Sequence, residues 1–214
     1  LTQVATINDG DPYTQGLTGA FETPFEELGG TIVLSTAVTA DQTDMRSVLT
    51  EVAAAGAELI FFPIFQPAGD FIAEQALEVA GLEETVLMGA DGLLSDTFVV
   101  LPQTENMYFS GPQTPTTDAY AEFVTKYTEA YGEAPIQSFH AHSYDATNMV
   151  FTAIETASTD DGGTLTIDLQ AFRDALSEMT HEGLNGTLSC DEFGDCASPN
   201  IDLVRNTADT ADIE

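Results

Sequence analysis

The sequence predicts an α/β fold: a parallel sheet flanked by helices on both faces, with further helices of a different pattern in its second half. Three observations predict it. Over the first 110 residues, strand-like apolar runs alternate with amphipathic helical stretches at intervals of about 25 to 30 residues, the spacing of βαβ units. The run at 58–63, Glu-Leu-Ile-Phe-Phe-Pro, is apolar without alternation, as a strand covered on both faces must be. Hydrophobic residues make up 43% of the 214, a globular share that allows a core despite strong acidity.

Val4 to Asn8 is the first strand, and Asp9-Gly10 turns the chain. Asp11-Pro12 then supplies an N-cap and a first-turn proline, a strong helix start. Leu17, Phe21, Phe25 and Leu28 follow at helical spacing until Gly29-Gly30, and Pro24 is expected to kink or split this helix. Thr31 to Ser35 is the second strand. Met45, Val48, Val52 and Ala55 mark a second helix closed by Gly56. The third strand at 58–63 leads to a helix carrying Ile72, Ala73, Ala76 and Ala80, ended by Gly81. Thr85 to Gly89 and Met107 to Ser110 complete the predicted sheet.

Beyond residue 116 the strands give way to helices. Tyr120, Phe123, Val124, Tyr127 and Tyr131 share one helical face, closed by Gly132. A longer helix spans Tyr144 to Ala157, with Met149, Val150, Ala153 and Ile154 on one side. The polar segment Ser-Thr-Asp-Asp-Gly-Gly-Thr reads as a loop before a third helix, with Asp168 as cap and Leu169, Phe172, Leu176 and Met179 inward. A last strand lies near Ile201 to Val204, and the tail from Thr207 to Glu214 is expected to fray.

Thirty-six acidic against four basic side chains give a formal charge of −32. Such a surface repels phosphate, so nucleic acid and anionic membrane are poor partners. It suits either a salt-screened, halophile-like environment or the plain solubility of a secreted protein. No run approaches the ~20 apolar residues of a membrane span. The N-terminus carries no basic–apolar–small leader pattern, which implies prior processing or an excerpt of a longer chain. Cys190 and Cys196 flank a turn-like Asp-Glu-Phe-Gly-Asp, and a disulfide is favoured over two free thiols.

Ligands of open parallel sheets bind beyond the carboxyl ends of the strands. Three segments of this chain meet that rule: Asp9, Asp11 and Tyr13 after the first strand, Phe65 and Gln66 after the third, and Asp91 after the fourth. Aromatic rings beside one carboxylate suit a small amphipathic ligand bearing an ammonium group. Competing structural roles are a helix cap for Asp11, an ordinary turn for Asp91-Gly92 and a core position for Phe65.

Enzymatic and metal readings find less support. His140 and His142 could present two imidazoles on one side of a strand, but no third ligand accompanies them, so no metal is assigned. The two cysteines lack clustered histidines, and Asp191 to Asp195 has the wrong spacing for an EF-hand. There is no nucleophile elbow, no phosphate loop with Lys and no dinucleotide fingerprint, so no cofactor is assigned. Asn185-Gly186-Thr187 fits a glycosylation sequon, a pattern that also arises by chance.

Eight stretches occur in a recognisable order: VATINDGDPYTQGL, the helix to ELGG, TAVTADQTDMRSVL, AELIFFPIFQPAGDFIAEQALEVAG, LMGADGLLSD, FVTKYTEAYGEAP, SYDATNMVFTAIE and FGD. In these the sequence resembles the type I periplasmic-binding family, specifically the Leu/Ile/Val-type substrate-binding proteins of ABC importers. The resemblance implies a non-enzymatic, extracytoplasmic protein, in the periplasm or as a cell-surface lipoprotein. Its two lobes would close on an amino acid-like solute and deliver it to a membrane permease. Residues 1–115 and 199–214 would form the C-terminal lobe, and 116–198 would return to the N-terminal lobe, most of which has no counterpart here. Tyr13 matches the family's aromatic after the first strand of that lobe, and Phe65 or Gln66 its second aromatic contact. Asp91 matches the acid for the ligand's amino group, usually a longer glutamate. The helices after residue 116 would then leave large apolar faces, to be covered by altered packing, a second copy or a separately supplied N-terminal segment. A ligand-sensing receptor domain of the same fold is the alternative reading, and a flavodoxin-like enzyme the more distant one.

Overall fold

A computed structural model describes residues 1–136, 138–196 and 200–207. It divides into two compact units, residues 1–111 with 201–214 and residues 112–200.

The first unit alternates β1 (Gln3–Asn8), α1 (Pro12–Glu27), β2 (Thr31–Ala37), α2 (Arg46–Ala55), β3 (Leu59–Phe61), α3 (Ala68–Ala76), β4 (Val86–Gly89) and β5 (Tyr108–Pro112). β1 pairs in parallel with both β2 and β3, and β3–β4 and β4–β5 continue the parallel sheet. The main core lies on the face covered by α2 and α3, where Ile7, Leu49, Val52, Ile60, Ile72 and Phe109 are buried. A smaller cluster on the other face seats Phe21 and Phe25 of α1 against Val4 and Phe61.

Local chemistry explains most boundaries. Asp11 caps α1 by accepting from the Tyr13 backbone N–H at 2.7 Å, with Pro12 in the first turn. Gly56 ends α2 in the left-handed conformation, at φ 74°, that a Cβ would disfavour. Pro24 does not split α1, which runs unbroken from Pro12 to Glu27. It sits in the last turn on the exposed side, where the carbonyl it leaves without a donor is open to water. α3 also departs from expectation, stopping at Ala76 rather than Ala80. Past that point the chain tightens into three-residue turns, Glu78 N–H to Gln75 O at 3.0 Å and Leu82 N–H to Val79 O at 3.2 Å, and Ala80 is exposed. The third strand is shorter than predicted: Phe62 N–H still donates to Met88 O at 2.9 Å, but Pro63 has no N–H to give and Ile64 N–H turns back to Phe62 O at 2.8 Å.

The second unit holds α4 (Asp118–Tyr131), α5 (His140–Ala157), β6 (Ser158–Asp160), β7 (Leu165–Ile167), α6 (Leu169–Glu178), β8 (Thr180–Gly183) and β9 (Gly186–Ser189). Thr117 caps α4, Asp168 caps α6, and Gly132 ends α4 at φ 85°. The polar loop predicted at 158–164 is instead the start of the antiparallel hairpin β6–β7, turned by two glycines with positive φ, Gly162 and Gly163. His140 and His142 lie in the first turn of α5, not on a strand, and α5 starts four residues before the predicted Tyr144. Leu169 is 72% exposed rather than inward. Cys190 and Cys196 form a disulfide. Leu184-Asn185 makes the turn of the antiparallel β8–β9 hairpin, which closes on the Gly183–Gly186 pair with Gly186 at φ 95°.

β10 (Ile201–Arg205) returns to the first unit and pairs with β5, closing a six-stranded sheet of order β10-β5-β4-β3-β1-β2. Bonds from Asn106 N–H to Asn206 O and from Gln113 N–H to Asn200 O make that last pairing antiparallel. The tail predicted to fray lies, from residue 208, outside the described residues. Among the described residues no helix is long and apolar enough to cross a membrane.

Candidate functional site

The loops after β1, β3 and β4 leave the same end of the sheet, the carboxyl end of three parallel neighbours. The β1–α1 loop is held by its own polar side chains. Asp9 Oδ1 accepts from the Thr14 hydroxyl at 2.6 Å and from Asp11 N–H at 3.1 Å, and Asn8 Oδ1 accepts from Gly10 N–H at 3.0 Å. Asp9 and Asp11 are thereby spent on the loop and the cap. Tyr13, two residues into α1, remains 45% exposed at the rim.

Tyr13 donates its phenolic O–H to Asp91 Oδ1 at 2.7 Å. Asp91 follows β4 and opens a short 3-10 turn, Asp91–Leu93. Its second oxygen accepts no hydrogen bond among the described residues, and no Lys or Arg pairs with it there. Partial burial first, then the bond to Asp91 and its negative charge, push the Tyr13 phenol well above the usual tyrosine range. Tyr13 therefore stays a donor at any ordinary pH.

Phe65 stands on the third loop, 43% exposed, with its ring centroid 6.0 Å from that of Tyr13. Its ring lies against Gly92, where an added Cβ would come within 2.8 Å of it. Gly92 is thus a close-approach position rather than only a turn residue. Gln66 is engaged differently. Its Oε1 accepts from Ser95 and Thr97 hydroxyls at 3.1 and 2.8 Å, and its Nε2 donates to Asp70 at 2.8 Å.

Tyr13, Phe65 and Asp91 are therefore brought together, a carboxylate with one free oxygen bonded to the first of two neighbouring, half-exposed rings. That arrangement can accept an N–H donor and cover apolar atoms; it holds no nucleophile–base pair. No group of three His, Cys, Asp or Glu suited to a metal occurs among the described residues.

One buried polar cluster was not anticipated from the sequence. Asp145 of α5 is fully buried and accepts from Leu184 N–H at 2.8 Å, Asn185 N–H at 3.0 Å and the Asn185 side-chain amide at 2.8 Å. A carboxylate four residues from both Ala141 and Met149, on an apolar face, was the available signal. The Asn185 amide of the sequon is thus occupied by Asp145. Elsewhere in the same unit, Phe123 and Tyr127 of α4 and Tyr144 and Phe151 of α5 line an open aromatic groove of 720 Å³.

Likeness in sequence and in fold links the chain to known proteins. The chain is 28% identical over 211 residues to the Leu/Ile/Val-binding protein homolog 3 of Brucella melitensis, covering 95% of this chain and 54% of that protein. The chain spans about half the length of the curated relatives it matches. Among solved structures, the leucine-binding protein LivK of Thermotoga maritima superposes with a TM-score of 0.81 at 22% identity, over 100% of this chain and 59% of that one. A solute-binding protein of an ABC transporter from Rhodopseudomonas palustris, in complex with p-hydroxybenzoic acid, superposes with a TM-score of 0.78 at 18% identity, over 95% and 56%. A family model described as periplasmic binding protein matches residues 1–196. The chain belongs to the periplasmic binding protein family.

Proposed function

We propose that this chain is the larger part of an extracytoplasmic solute-binding protein that captures an amino acid for an ABC importer and presents it to a membrane permease. The observation that carries the reading is the Tyr13–Asp91 bond, which leaves one Asp91 oxygen free beside the neighbouring rings of Tyr13 and Phe65 at the carboxyl end of a parallel sheet. In this reading Asp91 Oδ2 accepts from the ligand's ammonium group, and the two rings cover its apolar side chain. An uncompensated carboxylate disfavours a benzoate-type anion of the kind bound by the Rhodopseudomonas neighbour. The names of the Brucella relatives and of LivK support a branched-chain amino acid.

Residues 1–115 and 199–214 act as the C-terminal lobe, and 116–198 return to the N-terminal lobe, whose remainder covers the aromatic groove between α4 and α5. Closure of the lobes, not catalysis, is the working step. The protein resides in the periplasm or on the cell surface as a lipoprotein.

The test is calorimetric titration of the full-length protein with L-leucine. Asp91→Ala is expected to abolish binding with the melting temperature little changed, since the side chain is partly exposed. Undiminished affinity in that variant would refute the assignment.

A further inference from the structure

We infer that Gln66 is a positioning residue, fixing the loop that carries Phe65 to the loop that carries Asp91 rather than touching the ligand. The inference rests on the binding reading above. Phe65 and Asp91 lie on separate crossovers, 26 positions apart in sequence, and both are at least partly exposed. Two half-exposed side chains on two loops have no reason to hold a fixed separation unless something ties the loops together.

Gln66 supplies the tie. Its Oε1 receives two hydroxyls from the segment just beyond Asp91, Ser95 at 3.1 Å and Thr97 at 2.8 Å, and these hydroxyls are themselves 3.1 Å apart. Its Nε2 donates to Asp70 at 2.8 Å, in the first turn of α3. The orientation of the amide follows from its partners. A flipped amide would set its oxygen against the Asp70 carboxylate and its N–H₂ against two hydroxyls, losing the donor that Asp70 needs. With both ends engaged, Gln66 has little left to offer a solute, and Phe65 next to it is held against Gly92. A solute contact at this loop therefore falls to Phe65.

Only a neutral amide can do this, because one end must accept and the other must donate to a carboxylate. Gln66→Glu keeps the shape and the acceptor but faces Asp70 with a second carboxylate. Near neutral pH the two repel and the loops part. In acid the pair shares one proton, and a donor is restored. Asp70 is the titratable partner of the position. Asp96, which is exposed, and Asp91 are the other acids of the facing segment, while Ser95 and Thr97 do not titrate.

The experiment uses the full-length protein and L-leucine as probe, with calorimetry at pH 5 and pH 8. The unmutated protein is expected to bind within about twofold at the two values, because Gln66 and the two hydroxyls it accepts from carry no titratable group. Gln66→Glu is expected to bind about tenfold more weakly at pH 8 and to recover most of that at pH 5. Thr97→Val, a change at an exposed position that leaves the fold intact, is expected to weaken binding about threefold at both values. A merely structural residue would not give the first variant a pH profile that the parent lacks. If Gln66→Glu and Thr97→Val both bind like the parent, or if the loss is the same at both pH values, the inference is overturned. If Asp91→Ala also binds normally, or the parent does not bind L-leucine, the binding reading fails and this inference falls with it. Loss in Asp91→Ala with normal Gln66 variants removes the positioning role alone.

Discussion

Asp145→Asn tests whether a single buried carboxylate organises the end of the second unit. The Asp145 side chain is completely buried, and its two oxygens take three N–H groups from the β8–β9 turn. Two of these donors are backbone groups that the turn cannot satisfy otherwise. Asparagine has the same shape but one acceptor oxygen, so its amide must point N–H₂ at one or more of them. A hydrogen bond to a charged group contributes about 1.5–3 kcal/mol, and a buried donor left unsatisfied costs about 1–3 kcal/mol. Loss of charge at the retained contacts and of one whole acceptor together give about 2–4 kcal/mol of local destabilisation. Native-state hydrogen exchange at the Leu184 and Asn185 amides reads this directly, because it reports opening of the hairpin without requiring the chain to unfold in one step. Gly183→Ala gives an independent check, since a Cβ there would run into the Asp145 carboxylate. If Asp145→Asn keeps the exchange protection of those amides within about 0.5 kcal/mol of the parent, the carboxylate does not hold the turn.

Gly92→Ala is expected to displace the Phe65 ring, which its new methyl would approach to 2.8 Å. Since Phe65 is half exposed and can swing outward, leucine affinity should fall about three- to tenfold by calorimetry while the melting temperature changes little. His142 should make the second unit less stable in mild acid. Burial lowers its pKa, opposed by Asp145 and reinforced by His140, and its Nδ1 is enclosed without a partner among the described residues. The unfolded chain therefore binds a proton more readily, so the contribution is complete above the unfolded value of about 6.5 and is lost as pH falls below it. His142→Phe should flatten the pH 5–7 dependence seen in thermal melts, and an unchanged slope would exclude the role. The net charge of −32 predicts a melting temperature that rises with added NaCl, because screening relieves repulsion between acidic side chains. A melt that ignores salt would show that the charges are spaced too widely to matter.

Much of the first unit was legible because its punctuation is local. Asp11-Pro12, Gly56 and the apolar run around Leu59–Phe61 announce a cap, a stop and a buried strand without help from distant residues. Tyr13, Phe65 and Asp91 could be chosen from position alone, since the carboxyl ends of neighbouring parallel strands must share a rim. That the Tyr13 hydroxyl meets Asp91, or that Gln66 turns toward Ser95 and Thr97, depends on pairings between residues 29 to 78 positions apart, to which no local pattern points. Where the reading went astray, a local signal was overruled or passed over. Ala80 kept helical spacing but brings too little apolar area to hold α3 to that length, and the β6–β7 hairpin went unread because its first strand, Ser158–Asp160, carries no apolar residue and its second is only three residues long. Asn185-Gly186, the last turn residue and the first of β9, is a hairpin signal that the overlapping sequon obscured.

The antiparallel strand β10 carries a cost in timing. Its partner β5 is complete by residue 112, yet β10 arrives only at residue 201. Throughout that interval of translation or export, β5 is an unpaired ribbon edge of the sort on which chains aggregate. When residues 201–206 emerge they fasten tightly. Asn206 donates its side-chain amide to the Val99 and Thr104 carbonyls at 2.8 and 3.1 Å, and Arg205 reaches Asn106 at 2.6 Å. The nascent polypeptide thus spends nearly ninety residues of synthesis with its largest sheet unfinished, and a chaperone that shields that border would act in this window.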